Sequence, residues 1–246
     1  MRESPAPRQT LPQWNFSGQS AVVTGGGRGL GRRIADALVA AGAEVHIFER
    51  DAPDDAEGLH VHEVDITDTE ALAKVVAGLP QPPLLLVNNA GITRDRSLLK
   101  MSDEEWGTVL QVNLTGAFNV LRALAPAMRE AGYGRVVNMA SINGLRGKFG
   151  QSNYAAAKGG LIALTKSAAR ELGGAGVTLN AIAPGMVMTD MTRALPAEIL
   201  DKARGEAVLP WLPDPDDITE ATLFLLSDAA RCLTGQVIKV DSGQYI

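Results

Sequence analysis

The 246-residue chain has one cysteine, no long apolar run and no excess of positive charge, and each absence argues against a class of protein. Its single cysteine, Cys232, excludes an internal disulfide and favours a reducing compartment, so a cytoplasmic protein is expected. No apolar run reaches the roughly 18 residues of a membrane-spanning helix. The net charge of −5 argues against a nucleic-acid-binding protein, which usually carries a basic face. No set of metal-ligating residues is predicted either.

What the sequence has is a regular alternation of apolar strands with segments of helical periodicity. Strands are predicted at 20–24, 44–48, 58–65, 84–87, 135–140, 177–182 and 236–240, and helices at 29–41, 69–79, 103–130, 153–172 and 216–227. This alternation predicts one α/β domain over residues 17–246, a doubly wound parallel sheet of about seven strands with helices on both faces. Residues 1–16 are polar and proline-containing, and are predicted to form a flexible N-terminal arm.

A glycine-rich segment, Thr-Gly-x3-Gly-x-Gly, occupies residues 24–31 between the first strand and the first helix. Glycine lets the main chain approach a ligand closely, and a helix N-terminus favours a pyrophosphate. The strand-before, helix-after context therefore predicts a dinucleotide cradle, although the spacing is not Gly-x-Gly-x-x-Gly.

Tyr154 and Lys158 lie four residues apart in a predicted helix, so their side chains share one face. A phenol titrates near pH 10, but a neighbouring cation favours the phenolate and lowers the pKa. Ser141, 13 residues before Tyr154, offers a hydroxyl that can hydrogen-bond a reacting carbonyl. Alone, a Tyr-x3-Lys pair is usually an ordinary surface pair; beside a dinucleotide cradle it indicates an active site.

Taken in order, the glycine segment, Asn-Asn-Ala-Gly at 88–91, Ser141 and Tyr154-x3-Lys158 resemble the short-chain dehydrogenase/reductases, over residues 17–246. The chain is most similar to the 3-oxoacyl-(acyl-carrier-protein) reductase and acetoacetyl-CoA reductase branch. The resemblance implies a Rossmann fold and an NAD(P)-dependent oxidoreductase that interconverts a ketone and a secondary alcohol, with a 3-oxoacyl thioester as the expected substrate. A dehydrogenase of a free alcohol, ketone or sugar is the alternative, and a non-catalytic dinucleotide-binding regulator is a third.

The same resemblance implies a role for each catalytic residue. Tyr154 is expected to be the general acid in reduction, and Ser141 to polarise the carbonyl. Lys158 is expected to lower the pKa of Tyr154 and to hold the nicotinamide ribose. Asn113 is expected to anchor a water that feeds protons to Lys158.

A larger set is expected to bind the cofactor. In it, Asp65 would hydrogen-bond the adenine, Asn88 and Gly91 would lie against the ribose, and backbone groups of Val187 and Thr189 would fix the carboxamide. The full set is Gly25, Arg28, Gly29, Leu30, Gly31, Glu49, Arg50, Asp65, Ile66, Asn88, Ala90, Gly91, Tyr154, Lys158, Pro184, Gly185, Val187 and Thr189.

Glu49 ends the second predicted strand, where an acid binds the ribose 2′-hydroxyl and repels a 2′-phosphate, which favours NAD(H). Arg50 and Arg28 leave NADP(H) open, because guanidinium groups match phosphate well.

Residues 188–213 form a lid by analogy, whose apolar side chains line a pocket or form a core. Arg146 or Lys148 is a candidate contact for the phosphate of a coenzyme A or carrier-protein thioester, with solvated surface charge as the alternative. The resemblance also implies a homotetramer built on the helix at 103–130 and the Tyr-Lys helix.

Overall fold

The structure is a computed structural model that describes residues 13–246, apart from the side chains of Asp190 and Met191. Seven parallel strands form one sheet in the order β3-β2-β1-β4-β5-β6-β7. They are β1 (Ser20–Thr24), β2 (Glu44–Glu49), β3 (His60–Glu63), β4 (Leu85–Asn88), β5 (Gly134–Met139), β6 (Val177–Pro184) and β7 (Val237–Val240). The predicted fold class is confirmed.

Helices cover both faces of the sheet. They are α1 (Gly29–Ala40), α2 (Thr69–Ala77), α3 (Asp103–Leu110), α4 (Ala117–Ala131), α5 (Asn143–Arg146), α6 (Ser152–Leu172), α7 (Asp190–Arg193), α8 (Ala197–Glu206) and α9 (Pro215–Leu226). In the described part of the chain, no helix has the length and apolar character needed to cross a membrane.

Side chains of each strand alternate between the two faces and so build two cores. In β1, Ala21 and Val23 join a cluster that includes residues of α1 and α9. Val22 faces the other way and joins a cluster with residues of α2, α4 and α6. The central strands are wholly buried because helices cover both of their faces.

The predicted helix at 103–130 is not continuous. A π-helical turn at Gln111–Gly116 joins α3 to α4 and buries Asn113 and Gly116. A Cβ on Gly116 would lie 2.6 Å from Ile66 Cδ1, so the turn packs closely against the loop after β3. Turns of this kind are frequent at functional sites, and hydrophobic periodicity does not reveal them.

The predicted arm, residues 1–16, falls mostly outside the described residues. Its last part packs against the fold: Trp14 Nε1 donates a hydrogen bond to Glu220 at 2.8 Å, and Phe16 is buried. The packed chain therefore begins before residue 17, because large aromatic side chains gain from leaving water.

The strand order reverses between β1 and β4. The chain runs outward from β1 to β3 and then returns to place β4 on the other side of β1. The loops after these two strands diverge, and a ligand crevice forms at the carboxyl ends of the strands. The glycine-rich loop follows β1, Asn-Asn-Ala-Gly spans the end of β4, and Ser141 follows β5, so all three motifs reach this edge.

Candidate active site

The glycine-rich loop is held against the loop after β4. Thr24 Oγ1 accepts hydrogen bonds from the backbone N–H groups of Asn89 and Ala90, at 3.1 and 3.0 Å. The Asn89 amide donates in turn to the carbonyls of Thr24 and Gly25. A Cβ on Gly31 would overlap the Gly25 carbonyl oxygen, so this approach of helix to loop requires glycine.

The N-terminus of α1 fits an anion. Arg28 takes the N-cap position in an extended conformation, yet no side chain caps the helix and its first turn contains no acidic residue. Unpaired backbone N–H groups and the positive end of the helix dipole are therefore available to a ligand. Together with the close-packed glycines, they fit the pyrophosphate of a dinucleotide.

Two adjoining cavities, of about 500 and 520 Å³, follow this edge of the sheet. Both are lined by Arg28, Leu30, Asn89 and Gly91, so they form one continuous channel, the cofactor groove. The predicted cofactor residues that line it are Gly25, Arg28, Leu30, Gly31, Glu49, Arg50, Asp65, Ile66, Ala90, Gly91, Tyr154, Lys158, Pro184 and Gly185.

The Asn88 side chain is held by hydrogen bonds inside the fold. Asn88 is 3% exposed, and its amide donates to Asn138 Oδ1 at 2.9 Å and to the Ala117 carbonyl at 3.2 Å. This side chain therefore joins β4 to β5 and α4, and a contact of Asn88 with the ribose stays a prediction. Asn89, which was not among the predicted cofactor residues, lines both halves of the groove.

Three other predicted residues lie beside the groove rather than in its wall. Gly29 opens α1 with a φ of 58°, a backbone conformation that favours glycine. The Val187 carbonyl accepts hydrogen bonds from the Thr189 N–H and the Thr192 hydroxyl. Thr189 caps α7 through its own hydroxyl, so both residues organise the start of the lid.

Glu49 and Arg50, the residues expected to decide between NAD(H) and NADP(H), have different surroundings. Glu49 Oε1 accepts a hydrogen bond from the Gly27 N–H at 2.5 Å, which places the carboxylate against the glycine-rich loop. Arg50 instead pairs with its neighbour Asp51 at 3.0 Å, and both side chains are exposed. An acid is therefore built into the groove, whereas the adjacent guanidinium already has an anionic partner.

Tyr154, Lys158 and Ser141 meet at one end of the groove. The predicted helix is confirmed as α6, and Lys158 Nζ lies 5.7 Å from the centre of the Tyr154 ring. Ser141 Oγ accepts a hydrogen bond from the Asn143 N–H at 3.1 Å, and Ser141 lines the groove beside Tyr154 and Lys158. The phenol, ammonium and hydroxyl can thus serve one reacting group.

The pKa values of the pair differ from expectation. Burial raises the pKa of Tyr154; the hydrogen bond from Ser141 opposes this rise and the Asp95 carboxylate adds to it. Burial also lowers the pKa of Lys158 to about 8, while its Nζ donates to the Met139 carbonyl at 2.7 Å. The expected lowering of the Tyr154 pKa by Lys158 is therefore absent from this structure. The phenol is protonated at neutral pH, as a proton donor requires.

Asn113 holds the loop after β4 in place. It is fully buried, its Oδ1 accepts from the Ile92 N–H at 2.8 Å, and its Nδ2 donates to the Ile92 carbonyl at 2.9 Å. A Cβ on Gly91 would lie 3.3 Å from Asn113 Oδ1 and 3.5 Å from Lys158 Nζ. Asn113 therefore brings Gly91 against Lys158, and its role as a water anchor stays a prediction.

Comparisons with known proteins agree with this geometry. The family described as "Enoyl-(Acyl carrier protein) reductase" matches residues 25–244. An acetoacetyl-CoA reductase of Rhizobium meliloti (strain 1021) is 42% identical over 245 residues, covering 92% of this chain and 98% of the relative. The 3-oxoacyl-(acyl-carrier-protein) reductase FabG of Escherichia coli (strain K12) is 38% identical over 243 residues, covering 94% and 99%.

Two solved structures of related proteins have the same fold. The 3-oxoacyl-(acyl-carrier protein) reductase of Brucella melitensis ATCC 23457 superposes with a TM-score of 0.94 at 30% identity, over 100% of both chains. A putative gluconate dehydrogenase from Agrobacterium tumefaciens gives a TM-score of 0.88 at 30% identity, over 94% of this chain and 98% of that one. The chain belongs to the short-chain dehydrogenase/reductase family. As a member of that family it is an NAD(P)-dependent oxidoreductase.

This short-chain dehydrogenase/reductase carries a hydrogen-bond chain that the sequence did not predict. Gln151, 7% exposed, donates to Asp95 Oδ2 at 2.8 Å and accepts from Asn143 Nδ2 at 3.0 Å. The N–H of Asn143 donates to Ser141 Oγ, so the chain links Asp95 to the Ser141 hydroxyl. The only sequence signal was a run of polar residues just before Tyr154.

A further cavity of about 650 Å³, the lid cavity, opens beside Ser141 and Gly185. Its other lining residues include Arg146, Lys148, Met186, Glu198, Ile199, Lys202 and Glu206. Of the apolar lid residues, Met188 and Leu212 belong to a small core with α8. Met186 packs against this core and also lines the cavity, and the Met191 side chain lies outside the described residues. Within residues 13–246, no group of His, Cys, Asp or Glu side chains is arranged to hold a metal ion.

Proposed function

We propose that this enzyme interconverts a 3-oxoacyl thioester and the matching 3-hydroxyacyl thioester. The observation that carries the proposal is the position of Ser141, which lies where the cofactor groove meets the lid cavity. A carbonyl held at Ser141 has the cofactor on one side and room for a chain on the other. The names of the two reductases reported above support a thioester substrate.

We further propose roles for the residues at this junction. Ser141 donates a hydrogen bond from its hydroxyl to the carbonyl oxygen and keeps its proton, since its Oγ already accepts from Asn143. Tyr154 gives its phenolic proton to the same oxygen as the alcohol forms, and takes it back in the reverse reaction. Lys158, buried beside Gly91, is placed to hold the ribose. The nicotinamide supplies the hydride when bound.

NAD(H) is the cofactor we propose. The Glu49 carboxylate lines the cofactor groove at the end of β2, where an acid repels a 2′-phosphate, and Arg50 is paired with Asp51. A Glu49→Gln variant should lower the ratio of kcat/KM with NADH to kcat/KM with NADPH, because it removes the charge that repels the phosphate. The control is Glu63→Gln, the same change at the end of the neighbouring strand. An unchanged ratio in Glu49→Gln would contradict the proposal.

We propose a homotetramer assembled through α4 and α6. A cavity of about 570 Å³ between these helices is lined by Phe118, Leu121, Leu164 and Ala168, and Phe118 is 40% exposed. Such an apolar face favours association. Sedimentation of the purified protein should give the tetramer mass, and a monomer at micromolar concentration would contradict it. A cytoplasmic location remains a proposal that rests on the single cysteine.

The proposed reaction is tested by following the oxidation of reduced nicotinamide with acetoacetyl-CoA, with NADH and NADPH in parallel. A panel of free ketones, secondary alcohols and sugar acids provides the comparison, because one structural neighbour is named a putative gluconate dehydrogenase. Turnover with the thioester at a kcat/KM above every free substrate is expected. Turnover confined to a free alcohol or sugar acid would replace the thioester proposal.

A further inference from the structure

Two lysines line the lid cavity, and neither forms an ion pair with any carboxylate that the structure describes. Lys148 lies in the loop after α5 and Lys202 on α8, and both are exposed. Among residues 13–246, neither ammonium has an acidic oxygen within the 4.0 Å of an ion pair. This holds even though Glu198 precedes Lys202 by one helical turn and lines the same cavity. Two ammonium groups from separate elements therefore line one cavity, and neither is paired with a described carboxylate.

Arg146, the third cation that lines this cavity, already has an acidic partner. Its Nη1 lies 3.0 Å from Glu206 Oε2 and donates to the Gln244 carbonyl at 3.3 Å. Its Nε donates to Asn143 Oδ1 at 3.3 Å. Arg146 therefore ties the loop after β5 to α8 and the C-terminal segment. Of the two candidates named from the sequence, the structure favours Lys148 and adds Lys202 from the lid.

We propose that Lys148 and Lys202 form an anion subsite that binds the phosphate of the carrier arm of an acyl thioester. An anion between two ammonium groups relieves their mutual repulsion and gains attraction from both. Flexible lysine stems can follow a phosphate whose position varies with the acyl chain. The arm then enters the lid cavity between them while its thioester end reaches Ser141. This inference rests on the proposed function, since it assumes a thioester substrate.

The test compares two substrates that share the reacting group. Acetoacetyl-CoA carries phosphates, whereas acetoacetyl-N-acetylcysteamine has the same thioester and none. In the double variant with Lys148→Ala and Lys202→Ala, the KM for acetoacetyl-CoA should rise about tenfold, with kcat little changed. The KM for the truncated thioester should stay within about twofold. Lys74→Ala, which removes an exposed lysine from α2, is the control.

Added salt gives a second readout. The wild-type KM for acetoacetyl-CoA should rise with ionic strength, and the double variant should show a weaker dependence, because screening acts on exposed charges. Equal rises of KM for both thioesters, or no rise for either, would overturn the subsite. Loss of turnover with free acetoacetate in the variant would assign the lysines to a carboxylate and also overturn it. A wild-type enzyme that reduces neither thioester would instead overturn the proposed function itself.

Discussion

Lys158 and His46 are both ionisable side chains that folding buries, with 4% and 1% exposure. Burial is the largest cause lowering the pKa of each, to about 8 for Lys158 and to about 4 for His46. Their surroundings differ. Lys158 lines the cofactor groove, whereas His46 lies on β2 with its Nδ1 3.0 Å from His62 Nε2 and its ring stacked on His60.

A perturbed pKa therefore does not by itself mark an active site. All three histidines of the chain meet at this outer part of the sheet, yet His46 lines neither half of the cofactor groove. Its buried Nε2 has no hydrogen-bond partner within the described residues, and the Glu44 carboxylate lies 3.7 Å away. Perturbed groups mark function when they also face a cavity with a reacting partner, as Lys158 does. The same burial at His46 acts on stability alone.

The largest effect is expected in the cofactor groove, on kcat, when the hydroxyl of Tyr154 beside Lys158 is removed. Tyr154→Phe removes the only proton that this site is proposed to transfer, so kcat should fall at least about 100-fold. The dissociation constant for the nicotinamide cofactor should be retained, because the ring still packs on α6. Tyr133→Phe is the control, since its hydroxyl contacts Asp228 outside the groove. Comparable loss in both variants would point to general damage.

Lys158 should also make the free energy of unfolding depend on pH in the alkaline range. Its folded pKa of about 8 lies below the ordinary value of 10.5, so between these pH values the unfolded chain binds more protons and stability rises with pH. The rise should be about 3 kcal/mol. Lys158→Met should remove it, as measured by urea unfolding at several pH values in that window. Identical pH dependence in wild type and variant would show that folding does not lower the pKa of Lys158.

Burial of His46 should lower the free energy of unfolding in acid. Its folded pKa of about 4 lies below the ordinary 6.5, so the unfolded chain binds more protons between them and stability falls as pH falls through this window. The loss should be about 3 kcal/mol. His46→Leu should flatten the curve without changing kcat. His60→Leu, whose side chain is 59% exposed in wild type, is the control and should flatten it less.

The smallest effect is a shift in the pH profile of kcat, which tests whether Asp95 raises the pKa of Tyr154. The Asp95 carboxylate raises the pKa of Tyr154, so Asp95→Asn should lower it. In the reductive direction Tyr154 must be protonated, so the alkaline fall of kcat should move to lower pH. Asp201→Asn, on the exposed side of α8, is the control. A lower kcat with an unmoved profile would mean that Asp95 acts only through the Gln151 hydrogen bond.

Much of this arrangement could be predicted from residue order because it depends on local patterns. Apolar strands alternating with amphipathic helices specify the sheet, and the glycines after β1 specify a close backbone approach. The i, i+4 spacing of Tyr154 and Lys158 needs only a helix to bring the side chains together. These features need no knowledge of distant contacts.

What escaped prediction depends on contacts between elements. Whether Asn88 or Asn89 faces the groove is decided by the strand register, which pairs Asn88 with Asn138. The ion pair of Arg146 with Glu206 joins residues 60 positions apart. The π-helical turn at Gln111–Gly116 follows from burial of Asn113 against the loop after β4. The raised pKa of Tyr154 likewise comes from burial, which spacing along a helix does not reveal.

Label transfer tests the central claim most directly. Wild-type enzyme would be given reduced nicotinamide deuterated at C4, one face at a time, together with acetoacetyl-CoA. From one face only, the 3-hydroxybutyryl product should carry a single deuterium on its hydroxyl-bearing carbon, and Tyr154→Phe should form almost none of it. Product without the label, or labelled product formed equally fast by Tyr154→Phe, would contradict hydride transfer completed by the Tyr154 proton.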